Sequence, residues 1–184
     1  MTTLTMIYLR DTGHALAGVT RATAPAAAEP VAALVGPGLP LRRVGDKQHP
    51  MAFSVPADRL AAANFDHEPF PDDPAKRGVR ERKQDEKVTH ELVTLADGSG
   101  VTVTPAATGV TVDVPAVPTE ALPVLVLLQK QVASPPVPAP VILSGSIPAF
   151  TTQGVLAATL DKGVWNAFAF VRGYTPNGTQ ATLS

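Results

Sequence analysis

Apolar and polar residues alternate along much of the chain with a period of two, the pattern that places one face of a β-strand against a core. Residues 4–10 follow this pattern, residues 11–14 (Asp-Thr-Gly-His) have the composition of a turn, and residues 15–23 continue with strand-forming side chains. The three segments predict a β-hairpin at the N-terminal end of the sequence.

Weaker signals follow the hairpin. A Pro- and Ala-rich connection separates it from two short predicted strands, at 39–44 and 51–55. Asp58 is placed to cap a helical turn that runs to Ala63. Together with the hairpin, these segments predict a small β region over residues 1–64.

Residues 65–91 interrupt the alternation with a dense run of charge. Eight acids and six bases fall between Asp66 and Glu91, accompanied by three prolines. A helix over 80–87 would be polar on all sides and would set like charges four residues apart. We therefore expect an extended or disordered charged connector at 65–91, which separates residues 1–64 from a second domain at 92–184.

The strand signal is strongest in the second domain, where apolar or alternating runs recur between turn-forming residues. These runs lie at 88–95, 101–104, 110–114, 124–128, 141–147 and 164–171. The dipeptide Asn177-Gly178 predicts a last turn. Seven or so short strands in residues 92–184 are typical of a β-sandwich of immunoglobulin-like size. The predicted fold class is all-β, and the aromatic residues of the last run are expected to fill its core.

The amino-acid composition argues against some classes of binding partner for this chain. The chain has 184 residues, of which 45% are hydrophobic and 17% are charged, with a formal net charge of −1. The charged share is below the roughly 25% that is typical of globular domains. Nucleic-acid binding is not expected, because the chain lacks the excess of cations that would release counterions from phosphates.

Cysteine is absent, which excludes disulfides, thiolate metal ligands and cysteine nucleophiles. The first residues show no basic region followed by an apolar stretch, so no secretory signal is predicted. The longest apolar run, at 122–128, is far shorter than the roughly 20 residues of a membrane-spanning helix. We expect a protein that is not inserted in a membrane, and a cytoplasmic assembly is favoured.

Four histidines are the strongest candidates for a metal ligand or a general base: His14, His49, His67 and His90. His67 and His90 lie at the ends of the charged connector, beside Asp66, Glu68 and Glu91. No two of the histidines have the spacing of a zinc site, and a connector positions ligands poorly. We therefore predict no metal site and no cofactor, and interpret these side chains as part of a solvated surface.

Other catalytic patterns are equally weak. Gly98-Ser99-Gly100 and Ser144-Gly145-Ser146 are the nearest approaches to a nucleophile motif, and both are better explained as a turn or a strand end. The paired acids Asp72-Asp73 and Asp85-Glu86 are adjacent in sequence rather than placed to face each other across a cleft. The glycines do not follow the order of a nucleotide-binding loop. We predict no catalytic residues and a protein that is not an enzyme.

The distribution of charged residues along the chain is more informative than any motif. Between Gly98 and Leu160 the chain has only three charged residues, Asp113, Glu120 and Lys130. Such a weakly charged surface indicates contact with other protein, since free soluble domains carry charge more densely. The alternative is a Thr-, Ser- and Pro-rich surface that stays soluble without charge.

These features favour a non-enzymatic structural subunit that acts through protein–protein contacts in a larger assembly. The Ala-, Val- and Pro-rich composition, with more Arg than Lys, is typical of high-GC bacteria, and we expect a bacterial or phage-derived particle of the tail-like or contractile-injection type. Strand pairing across subunits is the expected mode of contact. The alternative is a surface or glycan- or protein-binding β module, for which exposed aromatic side chains would be the distinguishing feature.

Overall fold

The structure is a computed structural model that describes residues 3–22, 30–44, 50–66, 73–85, 87–132 and 138–184. Within these ranges, β-strands account for 62% of the residues and helix for 7%. Among the described residues, four of the five sheets consist of antiparallel strand pairs. The prediction of an all-β fold is therefore confirmed.

Of the fourteen described strands, seven lie before residue 95 and seven lie after residue 101. The first seven are β1 Thr3–Leu9, β2 Ala15–Arg21, β3 Gly38–Val44, β4 Pro50–Pro56, β5 Leu60–Asp66, β6 Arg77–Gln84 and β7 Lys87–Thr94. The next seven are β8 Thr102–Ala106, β9 Gly109–Asp113, β10 Leu122–Lys130, β11 Val141–Ile147, β12 Gln153–Ala157, β13 Gly163–Val171 and β14 Asn177–Leu183. In the described ranges, helical structure is limited to α1 Val31–Val35 and two 3₁₀ turns, Ala57–Arg59 and Pro74–Lys76.

The chain forms two compact units that are each discontinuous in sequence. The first comprises residues 1–40 and 54–96, and the second comprises residues 41–53 and 97–184. β3 and β4 pair with each other, and each contains residues of both units. The observed division therefore differs from the predicted one, in which contiguous domains meet at a connector.

The first unit is built on a three-stranded sheet with the order β2-β1-β5. The predicted N-terminal hairpin is present as β1 and β2, whose register shifts between Ile7 and Tyr8. Alternate residues of β1, namely Leu4, Met6 and Tyr8, form a core with side chains of β5, β6 and β7. β1 is buried along its whole length because it is the central strand of the sheet.

The predicted helical turn from Asp58 to Ala63 is wrong beyond its first residues. A 3₁₀ turn covers Ala57–Arg59, and the chain then enters β5 at Leu60. Asp58 makes no capping hydrogen bond, since the residue at the capping position is Pro56. Pairing with β1 along seven residues outweighs the weak local preference of this alanine-rich segment for a helix.

The charged connector predicted at 65–91 is instead largely a β-hairpin of the first unit. β6 and β7 pair over eight residues each, and a turn at Asp85, with φ of 46°, joins them. Val79 and Leu92 of the hairpin pack in the first-unit core. Their burial offsets part of the conformational entropy that is lost when the hairpin becomes ordered. The described residues of 80–87 are extended and not helical, as the charge pattern predicts, whereas residues 54–96 belong to one unit instead of being divided after residue 91.

The second unit contains two antiparallel sheets that share one hydrophobic core. One sheet has the order β11-β10-β13-β14 and the other the order β12-β9-β8. The core takes alternate residues from both, including Val110, Val112, Val124, Val126 and Leu128. This shared core follows from the period-2 pattern of the sequence, and the more specific prediction of a β-sandwich stays a prediction.

β10 and β13 are buried on both faces, which alternation alone does not predict. Leu125, Leu127, Phe168 and Phe170 point away from the shared core and are still nearly inaccessible to solvent. Phe53, from the 41–53 segment of the same unit, stacks on Phe168 with ring centroids 6.4 Å apart. A segment distant in sequence thus covers part of this second face.

Two details of the last strands differ from the predictions. Asn177 and Gly178 begin β14 instead of forming a turn, and the preceding turn lies at Arg172 and Gly173, where φ is 90°. Gly178 lies against the ring of Phe168, where a Cβ would come within 2.6 Å, so glycine serves close packing at this position. β12 corresponds to none of the predicted runs.

Candidate interaction surface

The histidines considered as metal ligands do not come together in the described part of the chain. His49 and His67 lie outside the described residues. His14 is buried, with Nδ1 2.9 Å from Thr12 Oγ1, and His90 lies on β7. The described residues contain no group of three His, Cys, Asp or Glu side chains that could hold a metal ion.

His90 belongs to a polar cluster near the middle of the β6–β7 hairpin. It lies opposite Glu81, with Nε2 3.8 Å from Glu81 Oε1. The buried Tyr8 donates its hydroxyl proton to the same carboxylate oxygen over 3.1 Å. Burial, followed by the negative charge of Glu81, raises the pKa of Tyr8 to about 12. The phenol therefore stays protonated at neutral pH, and the cluster tethers the hairpin to β1.

The serine and carboxylate motifs are engaged in local structure. Ser99 donates its hydroxyl proton to Asp97 Oδ2 over 2.8 Å, and the Ser99 backbone N–H donates to Asp97 Oδ1 over 3.0 Å. These two bonds hold the pKa of the Asp97 carboxyl below its usual value. Ser144 and Ser146 lie within β11. Asp73 accepts a hydrogen bond from the Ala75 backbone N–H, which is the geometry of a cap.

Two of the three charges in residues 98–160 are also engaged. Asp113 accepts hydrogen bonds from Thr102 Oγ1 (3.1 Å) and Gln153 Nε2 (2.9 Å) across the sheet. Lys130 forms an ion pair with Asp161. Glu120 is exposed and has no ion-pair partner among the described residues. Asp113 and Lys130 therefore keep their charges but are held by local contacts within the second unit.

Exposed apolar side chains concentrate on the same region. Among the described residues, the three most exposed large apolar side chains are Phe150 at 76%, Val155 at 69% and Val117 at 59%. Val155 lies on β12, Phe150 lies just before it, and Val117 lies in the loop that follows β9. We call these three residues the apolar edge, since Val155 lies on β12, an outer strand of the β12-β9-β8 sheet, and a backbone hydrogen bond from Phe150 to Pro118 joins the segments that carry the other two.

Phe150 has a backbone conformation that bulky residues rarely adopt. It lies in the corner where the chain leaves β11 for β12 and so passes from one sheet to the other, and its φ is 64°. Its backbone N–H donates to the Pro118 carbonyl over 2.9 Å, which fixes the corner beside the loop of Val117. A left-handed conformation costs a non-glycine residue roughly 1–2 kcal/mol. The corner therefore holds its aromatic side chain in solvent at a cost to stability.

No protein-family model matches the chain, and no curated protein matches it either. Among the described residues, no helix is long and apolar enough to cross a membrane.

The apolar edge was not found by reasoning from the sequence. Phe150 stands alone between Pro148-Ala149 and Thr151-Thr152, outside any alternating run, and this isolation is the signal that could have identified it. Its positive φ and its exposure depend on the corner, and a single sequence does not reveal them. The low charge of residues 98–160 marks the region that contains these three residues but does not identify them.

Proposed function

We propose that this chain is a non-enzymatic structural subunit that acts through protein–protein contacts, with the apolar edge as a contact surface. The observation that carries the proposal is the exposed aromatic ring of Phe150 on a strained backbone. Exposed aromatic side chains are typical anchors of protein interfaces, where they become fully buried.

The strain at Phe150 supports a role outside the fold of the unit. Glycine at this position would relieve the strain of the positive φ. The Phe150 side chain contributes little to the core of the unit, because the residue is 76% exposed. Unfavourable backbone conformations persist where the surrounding structure imposes them, and they cluster at binding sites. A contact with a partner would account for a residue that the unit itself does not need.

The alternative, a glycan-binding module, receives less support from the same surface. Phe150 is the one exposed aromatic residue of the described chain, because Tyr8, Trp165 and the other described phenylalanines are buried and Tyr174 is partly buried. Sugars require polar side chains beside the ring, whereas the other two members of the apolar edge are valines. An apolar protein surface is the better match.

The proposal is tested by the native mass of the chain in cells that naturally produce it. We expect the chain, of 19.1 kDa, to elute in a species well above twice its own mass. Phe150→Ser should shift it to a smaller species, whereas the control Val19→Ser, which replaces an exposed valine on β2, should not. Elution at the mass of one or two chains would contradict the proposal, and an unchanged large species in Phe150→Ser would remove Phe150 from the contact.

The more specific prediction of a tail-like or contractile-injection-type particle stays a prediction. It derives from composition, and no contact among the described residues bears on it. The prediction that the chain is not an enzyme also stays a prediction.

A further inference from the structure

The outer half of the β6–β7 hairpin is a two-stranded ribbon whose side chains lie in solvent. Val79 and Leu92 of the hairpin pack in the first-unit core, whereas every described residue from 80 to 89 is exposed. A two-stranded ribbon is only marginally stable by itself. The exposed side chains of the ribbon therefore contribute little to the core that anchors it.

Strand pairing divides this ribbon into two faces. Glu81 lies on the face that meets β1, because it accepts the hydrogen bond of Tyr8. Successive side chains of a strand alternate between the two faces, so the neighbours of Glu81 lie on the opposite one. That opposite face consists of three cross-strand pairs, Arg80 with Glu91, Arg82 with Thr89 and Gln84 with Lys87. We call these six residues the basic face, since three of them are cations and one is an acid.

The three cations of the basic face are contiguous. Arg80 and Arg82 are same-face neighbours along β6, and Lys87 is diagonal to Arg82 across the hairpin. The described acid of the turn, Asp85, lies beyond the last pair of the face. Contiguous like charges repel one another, and an anion placed over them would relieve this repulsion.

Two of the three cations, Arg80 and Lys87, have no ion-pair partner among the described residues. The third, Arg82, has its Nε 2.7 Å from Glu91 Oε2, and its side chain is still 63% exposed. The ion pair therefore orients this guanidinium without burying it. A side chain that is already oriented loses less entropy when it makes a further contact.

The spacing of the basic face matches carboxylates on an extended chain. Arg80 and Arg82 are two residues apart on one strand, which separates them by about 6.5–7 Å. An extended segment with acidic residues at alternate positions has the same repeat, and arginine binds carboxylates in bidentate geometry. A nucleic acid is a poorer match, because tight binding to phosphates uses a longer track of cations, typically about six or more.

We propose that the basic face binds an extended acidic segment of a partner protein, with carboxylates at alternate residues placed over Arg80, Arg82 and Lys87. The contact is made by side chains and needs no pairing of backbones. It is a second contact surface that goes beyond the proposed function, and it does not depend on the apolar edge. The two surfaces differ in chemistry, since one is apolar and the other recognises negative charge.

The test is a titration of the full chain with a peptide in which three glutamates alternate with threonines, followed by amide chemical shifts in NMR spectra. At about 20 mM salt we expect shifts centred on residues 80–91 and a Kd of about 1 mM, since a short peptide makes only a few exposed ion pairs. Raising the salt to about 200 mM should weaken the binding several-fold. The same peptide with glutamine in place of glutamate should not bind.

Two double variants separate the basic face from the overall charge of the chain. Arg80→Gln with Lys87→Gln should weaken peptide binding by at least about threefold, because two of the three cations are lost. Lys83→Gln with Lys162→Gln removes the same charge from exposed positions outside the basic face and should leave the affinity nearly unchanged. The circular dichroism and melting temperature of each variant establish that it is folded.

Three results would overturn the proposal: no shifts with about 5 mM peptide at low salt, equal losses in the two double variants, or equal binding of the glutamine peptide. Tighter binding of a thymidine octanucleotide than of the acidic peptide would also overturn it, in favour of a nucleic acid. None of these results changes the expected native mass of the chain or its response to Phe150→Ser, so the proposed function is tested separately.

Discussion

The two units of the chain differ in the charge carried by their exposed β-strands. The first unit, although the smaller, carries 20 of the 31 charged residues. Its β6–β7 hairpin exposes both strands and covers them with charge, including the Arg82–Glu91 ion pair at 2.7 Å. The second unit exposes β12 with no charge at all and places Val155 in solvent. Charge on exposed strands opposes pairing with other chains, and its absence permits it.

The comparison also separates two kinds of hydrophobic core. Among the described residues, the first unit buries one cluster beneath its three-stranded sheet and further side chains such as Leu9 and Leu60 outside that cluster, whereas the second unit fills the space between two sheets with one cluster of fifteen buried residues. A large core tolerates features that cost stability, such as the positive φ of Phe150. The second unit therefore combines the stronger core with the less protected surface.

The largest effect is expected from truncation in the second-unit core. Leu128→Ala removes a fully buried side chain and should lower the free energy of unfolding by about 2–5 kcal/mol, measured by urea denaturation. Val155→Ala, on the outer face of β12, should change it by about 0.5 kcal/mol or less. Similar losses in the free energy of unfolding for the two variants would show that Val155 contributes to the fold as much as a core residue does.

A smaller loss is expected in the first unit from Gly13→Ala. Gly13 has a φ of 79°, and a Cβ there would come within 2.5 Å of the Val79 carbonyl oxygen, which cannot move without breaking the base of the hairpin. The loss should be about 2–3 kcal/mol. Gly36→Ala is the matched control, because Gly36 has a similar φ of 66° but nothing within 4 Å of the added Cβ, and it should cost about 1 kcal/mol. Equal costs would show that the close approach to Val79 is unimportant.

A still smaller effect is expected from Tyr8→Phe, which removes the hydrogen bond to Glu81 and should cost about 0.5–1 kcal/mol at neutral pH. Folding raises the pKa of Tyr8 from 10.0 to about 12, so the folded state holds this proton more tightly than the unfolded state. The resulting stability is complete below about pH 10 and is lost as the pH rises towards about 12. Denaturation at a series of alkaline pH values should give a steeper decline for the wild type than for Tyr8→Phe. Parallel declines would contradict the assignment of the raised pKa to this phenol.

The sequence predicts the second unit better than the first, for a physical reason. Strands such as β8, β9 and β10 are recognised from their own alternation or apolar runs, because burial between two sheets selects them residue by residue. The β6–β7 hairpin is stabilised by contacts distant in sequence, such as that of Tyr8 with Glu81, and its strands are locally charged. The apolar edge likewise depends on the corner at Phe150, whose conformation is not evident from any local sequence pattern.

The central claim, that Phe150 is retained for contacts outside its own unit, is tested most directly by the stability of Phe150→Gly. The substitution relieves the positive φ and removes a ring that is 76% exposed. The account predicts that the free energy of unfolding of the dilute, unassociated chain rises by about 0.5–1 kcal/mol. Phe150→Ala, which removes the ring and keeps the strained backbone, should give no such gain. A loss of stability in Phe150→Gly would contradict the account, because the ring would then be part of the fold.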